Sequence, residues 1–287
     1  MNVESAIDRL IDGLHETARP RVWSLIVTVL GDQVTPRGGV IQLSALQQIM
    51  GGLRIEENAV RTALSRLVKD GLVERLKEGR TSSYQLSSAN KAEFDAASRK
   101  IYGWDRPPWD GYFSLALFPG GTNGNGSPDA RAMRKMGFGP LMQGVYLKPG
   151  PNPDCTLPAP GVTLSSQTDN ADEAYDLART AFGLDDLAAQ YHDLFEAFSS
   201  LDATGSEILR PERALTARTL LVHNWRRIAL RDPELPVGLL PKDWAGFKAR
   251  DRVKKLYLRL LELSETALDA LGVGSAPDPE FLRTRFD

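Results

Sequence analysis

A single cysteine, Cys155, stands among 287 residues. No disulfide can form within the chain, and no cysteine cluster can hold a metal. Histidine is almost as scarce: His15, His192 and His223 lie far apart, none with a metal-type partner three or four positions away. Cys155 sits among prolines with no histidine beside it and reads as an idle thiol. Long apolar runs are missing, and nothing approaches the roughly 18 residues of a membrane span. The N-terminal MNVESAIDRLIDGLHE is acidic and amphipathic, unlike a secretory signal, so a soluble cytoplasmic protein is expected. A basic excess is lacking too. Lys and Arg number 35 against 37 Asp and Glu, so any nucleic-acid site must be a local surface, not a bulk property. Nor is there a phosphate loop. GGTNGNGSPD at 120–129 is glycine-rich but lacks the Lys-Ser/Thr and its spacing, and reads as a mobile linker.

What is present suffices for two or three domains: 42% hydrophobic residues and 25% charged ones support a real core. Ile7, Leu10, Ile11 and Leu14 form one stripe of an N-terminal helix, which must pack either on its own domain or at a dimer contact. A second helix follows Pro20 through RVWSLIVTVLGDQ, and GGVIQL is briefly extended. Ser44-Ala45-Leu46-Gln47 has the capping-box pattern that opens a third helix. EENAVRTALSRLVKDG makes a fourth, ending at Gly71. Two extended runs, LVERLK and TSSYQL, are joined by Glu78-Gly79-Arg80. This order is that of a winged helix-turn-helix. After one more helix, WDRPPWDG marks a boundary near 103–110. Strand GYFSLALF, helix ARAMRKMGF, strand LMQGVYLKP and strand VTLSSQT then suggest a small α/β or α+β unit. From about 172 the chain is helical, interrupted by DPELPVGLLPKDW.

The fourth helix has two sides. At about 100° per residue, Val60, Leu64, Leu67 and Val68 fall together, with Ala63 at the margin. Arg61, Thr62, Ser65, Arg66 and Lys69 fall on the other side, with no carboxylate among them. Arginine and lysine neutralise phosphates and reach guanine edges, and hydroxyls bond phosphate oxygens. The hairpin adds Lys77, Arg80, Thr81 and Ser82. Against this stand Glu56, Glu57, Glu74 and Glu78 in the same region, and a helix start without an obvious cap. Two functions stay open on the residues alone. One is a DNA-binding regulator; the other is a winged-helix interaction or nucleic-acid-processing factor without operator specificity.

VRTALSRLVKDGLVE followed by GRTSSYQLS resembles the PaaX family of bacterial transcriptional repressors, named for control of phenylacetate catabolism. FGPLMQGVYLKP at 138–149, HNWRRIALRDPELPVGLLPKDW at 223–244 and AGFKARDRVKKLYLRL at 245–260 agree, so the resemblance spans essentially the whole chain. It implies an α+β multidomain protein: a winged helix-turn-helix domain with the N-terminal helix at 1–103, a central ferredoxin-like α+β domain at 104–190, and a helical effector and dimer domain at 191–287. It implies a homodimer on double-stranded operator DNA, with no cofactor, released by phenylacetyl-CoA or another aryl-CoA thioester. Arg61, Thr62, Ser65 and Arg66 would face the operator, with Lys77 and Arg80 on the wing.

The family's central domain is similar to small CRISPR-associated ferredoxin-like nucleases, which need an acidic residue at the end of their first strand. Here that strand ends Leu117-Phe118-Pro119-Gly120, without a carboxylate, so no metal site and no catalytic residue are expected. A ligand surface is suggested at the other end of the chain. His223, Trp225, Arg226, Arg227, Arg231, Lys242 and Trp244 combine cations for phosphate with flat walls for a ring. The same stretch also reads as a rigid turn of Asp232, Pro233, Leu235, Pro236 and Pro241 on Trp244, its arginines pairing acidic neighbours.

Overall fold

In the computed structural model, which describes residues 2–16, 20–79, 81–103, 106–119, 128–151, 156–202 and 209–287, the chain is α+β, as expected. Contacts divide it into two units, neither continuous in sequence. The first comprises Met1–Trp104, His192–Leu230 and Lys248–Asp287; the second comprises Asp105–Tyr191 and Arg231–Phe247. Three sequence features, Arg80, Cys155 and nearly all of the glycine-rich stretch 120–129, lie outside the described residues.

The first unit begins with α1 (Val3–Glu16) and α2 (Val22–Val29). A two-residue strand β1 (Ile41–Gln42) leads to α3 (Leu43–Gly52) and α4 (Glu57–Lys69), then to a hairpin of β2 (Val73–Glu78) and β3 (Thr81–Leu86) and to α5 (Lys91–Tyr102). The three strands form an antiparallel sheet in the order β1-β3-β2. Of the C-terminal helices, α9 (Ser199–Asp202), α10 (Pro211–Ala229) and α12 (Pro279–Arg283) belong here, while α8 (Leu184–Ala197) and α11 (Ala245–Ala270) are divided between the units. α10 packs against α1, α2, α3 and α5, and its residues 214–223 are all buried. A helix hidden on every side carries no amphipathic signature.

One open local reading narrows and one expectation changes. The α1 stripe packs on its own unit: Ile7 and Ile11 are buried, Leu10 and Leu14 half-buried, and α10 covers them. Salt bridges from Arg213 to Glu4 (2.7 Å) and Asp8 (2.9 Å) reinforce that contact. Ser44 is no cap, because α3 starts one residue earlier, with Gln42 at the cap position and no side-chain bond there.

The long second helix also differs from its sequence reading. After Val29 it widens into a π-helical turn over Leu30–Val34 and tightens to a 3-10 turn over Thr35–Arg37. A π turn loosens the regular backbone ladder, and such turns gather at special sites. Here it seats buried Asp32, whose carboxylate accepts from Tyr102 Oη (2.6 Å), Arg218 Nε (2.9 Å) and Arg285 Nη1 (3.2 Å). Arg218, fully buried on α10, also donates to Glu265 (2.6 Å), Ser264 (3.0 Å) and Tyr257 Oη (3.1 Å). Burial opposes the charge on Arg218, but the neighbouring Asp32, Tyr257 and Glu265 outweigh it and raise its pKa. Arg37 extends the network to Glu265 (2.5 Å) and Asp269.

In the second unit, β4 (Tyr112–Leu117), β5 (Gly139–Met142), β6 (Val145–Pro149) and β7 (Val162–Gln167) form an antiparallel sheet ordered β5-β6-β4-β7. The run LMQGVYLKP is thus two strands and not one, turned at Gln143-Gly144, where Gly144 has φ +72°. α6 (Ala130–Lys135) connects β4 to β5, and α7 (Ala171–Phe182) packs over β5 and β6. Gly139 permits that approach, since a Cβ there would meet the Ala181 carbonyl oxygen at 2.4 Å. In the segment 231–244, Leu235, Leu239 and Trp244 are buried. Asp232 accepts from Arg106 Nη2 (2.8 Å) and Tyr191 Oη (2.6 Å), and Tyr191 meets Trp244 edge to face at 6.0 Å.

Removing one partner of a buried ion pair leaves the other charge stranded, which costs about 3–5 kcal/mol. Arg218→Ala is therefore expected to lower unfolding stability by about that amount in urea titration. Arg54→Ala, which breaks only half-exposed bridges to Asp8 and Asp12, changes it by about 1 kcal/mol or less.

Candidate nucleic-acid interface

α4 spans Glu57–Lys69, the bounds its periodicity predicts, and lacks a side-chain cap at Glu56. Its end is built by glycine. Gly71 adopts φ +71°, its N–H bonds Val68 O (3.1 Å), and Leu72 N–H bonds Leu67 O (3.0 Å). These two bonds are a Schellman closure, which only a left-handed residue completes without strain. Val60, Leu64 and Leu67 are buried, and the helix packs on α2 and α3. Val68, expected to anchor with them, is 37% exposed. It lies about 80° round the helix from Val60, at the rim of the apolar stripe.

The opposite face is open to solvent. Arg61, Thr62, Ser65, Arg66 and Lys69 are all exposed and, with Asp70, line one shallow concavity. The face is not free of carboxylates, as the sequence suggested. Arg61 Nη2 sits 3.3 Å from Glu57 Oε2, and Arg66 Nε lies 3.6 Å from Asp70 Oδ2. Thr62 Oγ1 donates to Asn58 O (2.8 Å), a bond that fixes its rotamer while leaving its lone pairs outward.

On the hairpin, Lys77 pairs with Ser82 and Glu78 with Thr81, and Gly79 turns the chain at φ +60°. Lys77 and Thr81 are exposed and Ser82 is half-buried. Ser82 Oγ already accepts from Arg75 Nη2 at 2.7 Å. Arg75 is exposed and shares the Lys77 side of β2, so it belongs to this surface although the sequence reading passed over it. The period-two spacing from Lys77 was the available signal. Glu74 is not part of the surface. Its carboxylate accepts from Gln85 Nε2 (2.8 Å), Ser88 N (2.8 Å) and Ser87 Oγ (3.0 Å), and these bonds, Gln85's first, hold its pKa down to about 2. It clamps the base of the hairpin.

The residues suggested for a ligand fall into different settings. His223, Trp225 and Arg226 already have structural partners in the first unit. His223 Nδ1 is 3.1 Å from Thr28 Oγ1, and Trp225, fully buried, donates to Ile101 O (2.7 Å). Arg226 donates to Ser24 O and Thr28 Oγ1, both at 2.9 Å. The flat wall and phosphate fork expected of these three are taken up in joining α10 to α2 and α5. Arg227 is exposed in the same unit. Arg231, Lys242 and Trp244 belong to the second unit, where the two cations are exposed and Trp244 is buried. Among the described residues, no group of three or more His, Cys, Asp or Glu is placed to hold a metal, and no helix is long and apolar enough to cross a membrane.

α4 thus carries a cationic face backed by an apolar one and leads into the β2–β3 hairpin, within an α+β chain. Residues 21–90 match the PaaX-like protein family, and residues 182–270 match the PaaX-like protein C-terminal domain. Over 273 residues the chain is 32% identical to the transcriptional repressor PaaX of Escherichia coli K12, covering 89% of this chain and 86% of that one. This chain belongs to the PaaX family, and it is not an enzyme. Its fold is similar to that of Rv0674, an uncharacterized protein from Mycobacterium tuberculosis, with a TM-score of 0.51 at 20% identity over 94% of this chain and 99% of that one.

The α10–α2 junction makes stability depend on pH. Burial first, then Arg226 and Arg227, push the His223 pKa from 6.5 down to about 3. Between those values the unfolded state binds more protons than the folded one. Stability from this group is full above pH 6.5 and is lost as pH falls toward 3, by at most about 1.4 kcal/mol per pH unit. Urea titrations at pH 7 and pH 5 are expected to show wild type losing roughly 1–2 kcal/mol more than His223→Gln over that interval.

Proposed function

We propose that this chain is a DNA-binding transcriptional repressor of an aromatic-compound catabolic operon, phenylacetate-like in its chemistry. It would act in the cytoplasm as a homodimer on double-stranded operator DNA. The observation that carries this reading is the split of α4, with Val60, Leu64 and Leu67 buried and Arg61, Thr62, Ser65, Arg66 and Lys69 exposed together. Cations and hydroxyls on one helix face suit phosphate and guanine contacts. The name of the Escherichia coli relative, a transcriptional repressor, supports the same reading.

We class residues 1–103 as a winged helix-turn-helix module, on the strength of α3, α4 and a β1-β3-β2 sheet whose hairpin supplies the wing. Lys77, Thr81 and Ser82, with Arg80, would follow the phosphate backbone, joined by Arg75. We class residues 104–190 as a ferredoxin-like domain. Support comes from the antiparallel order β5-β6-β4-β7 and the helical crossover α6 between β4 and β5. The connection from β6 to β7 departs from that pattern, carrying no helix among its described residues. Residues 191–287 would serve effector sensing and dimer formation, with α10 built into the contacts of the N-terminal module.

The effector we infer is an aryl-CoA thioester such as phenylacetyl-CoA. It acts by linkage, lowering operator affinity by as much as it prefers the non-binding arrangement. The cations we assign to its phosphates are Arg231 and Lys242, both exposed in the second unit.

Footprinting on duplex selected from a random library is expected to give a sharp palindromic footprint. Arg66→Ala should weaken that binding roughly 10- to 100-fold, the range for a lost guanine contact. Uniform weak binding at low salt alone would point to an interaction factor instead. In thermal-shift assays, phenylacetyl-CoA is expected to raise Tm by a few degrees, as a ligand well above its Kd does, and phenylacetic acid to leave it unchanged. Absence of a shift with every thioester tried removes the effector and leaves the DNA reading standing.

A further inference from the structure

We propose that Glu57 and Asp70 are specificity-determining residues of the α4 face: they hold its arginines in ion pairs and so suppress binding to DNA of arbitrary sequence. This rests on the DNA-binding reading. The geometry is symmetric about the helix. At the N-terminal end, Glu57 Oε2 takes Arg61 Nη2 at 3.3 Å and also accepts from Gln47 Nε2 of α3 at 3.0 Å. At the C-terminal end, Asp70 Oδ2 lies 3.6 Å from Arg66 Nε. Arg61, Arg66 and Lys69 supply three positive charges, and the carboxylates of Glu57 and Asp70 offset two of them.

Helix stability explains only half of this arrangement. A carboxylate at the first helical position, where Glu57 sits, is favoured by the helix dipole. Asp70 occupies the C-cap, where a carboxylate opposes the dipole and the free carbonyls, so its presence calls for another reason. The tether from Gln47 is likewise unnecessary for the dipole, yet it fixes Glu57 beside Arg61.

DNA binding supplies that reason. Affinity for arbitrary sequence is set by how many phosphates the cations neutralise and how many counterions leave. Each carboxylate on the face repels phosphate and occupies an arginine, so this component falls. An arginine leaving its carboxylate for a phosphate exchanges one ion pair for another. Leaving for a guanine edge, it gains a bidentate pair at O6 and N7 that fits only the correct base. The same carboxylates therefore penalise wrong sites more than right ones.

The test compares Glu57→Gln, Asp70→Asn and the double variant with wild type on two duplexes of equal length. One is selected from a random library by the wild-type chain, and the other is its scrambled sequence. Asp95→Asn is the control, alone against each single variant and together with Glu93→Gln against the double variant: Asp95 pairs with Lys91 in a solvent-accessible bridge on α5, so these variants make the same changes in net charge away from the face. The double variant is expected to bind scrambled duplex about tenfold more tightly, with a salt slope steeper by about one to two. Its affinity for the selected duplex should change by less than about threefold, so discrimination falls. Equal tightening on both duplexes, no tightening on scrambled DNA, or the same effect from the matched control would overturn the proposal while leaving DNA binding intact. A wild-type chain that binds neither duplex would overturn the DNA reading itself.

Discussion

The buried contact between Arg218 and Asp32 is the constraint around which the first unit is arranged. An isolated guanidinium or carboxylate in an apolar interior is expensive, so each must be met by charge and by hydrogen bonds. Asp32 is met by Arg218, Arg285 and Tyr102, which come from α10, the C-terminal end and α5. Arg218 is met in turn by Glu265, Ser264 and Tyr257 of α11. Three cations, Arg37, Arg218 and Arg285, face three carboxylates, Asp32, Glu265 and Asp269, so the cluster is neutral as a whole. Its members are separated by up to 253 positions in sequence. Satisfying this cluster gathers the N-terminal and C-terminal helices into one contact unit, which apolar packing alone would not specify so narrowly.

The exposed face of α4 inherits its orientation from this arrangement. Asp32 sits in the π turn that directly continues α2, and α2 is one of the two helices against which Val60, Leu64 and Leu67 are packed. A second set of contacts holds α2 from the other end of α10, where Arg226 bonds Ser24 O and Thr28 Oγ1 and His223 meets Thr28. α2 is therefore gripped by α10 along its length, while α4 rides on it. The face is rigid for reasons that lie outside the helix presenting it.

Much of this was legible in the sequence where a period or a special residue governs the local structure. The bounds of α4, its apolar and polar sides, the glycine ending at Gly71 and the β2–β3 hairpin all follow from 3.6 and two-residue periodicity and from left-handed backbone. The family resemblance rested on the same blocks. What escaped has a common cause. The π turn at Leu30–Val34 and the partners of His223 and Trp225 depend on which side chain meets which in three dimensions, whereas the pairing of Arg66 with Asp70 is an i,i+4 spacing that the sequence displays. α10 is the hardest to read: buried all round over residues 214–223, it shows no amphipathic period there, and only the three-dimensional contacts separate buried His223 and Trp225 from exposed Arg227. The strand LMQGVYLKP misled for a local reason, since Gly144 supplies a tight turn inside an apolar run.

These contacts also limit how a signal could change the reading face. A ligand shifts a conformational equilibrium only by its differential affinity for the two states, typically about 1–3 kcal/mol of coupling. Separating Arg218 from Asp32 would cost more than that, so an arrangement with this pair broken lies out of reach of such coupling. The His223–Thr28–Arg226 contact is different. Arg226 there bonds a backbone carbonyl and a hydroxyl, and His223 is neutral with its pKa held well down. A hydrogen bond from a charged group contributes about 1.5–3 kcal/mol net, less than breaking the buried ion pair costs. The stable grip on α2 is at Asp32, and the adjustable one is at Thr28. α4 rides on α2, whose Leu25, Ile26 and Val29 are fully buried, so Arg61 and Arg66 move only as the core beneath them moves.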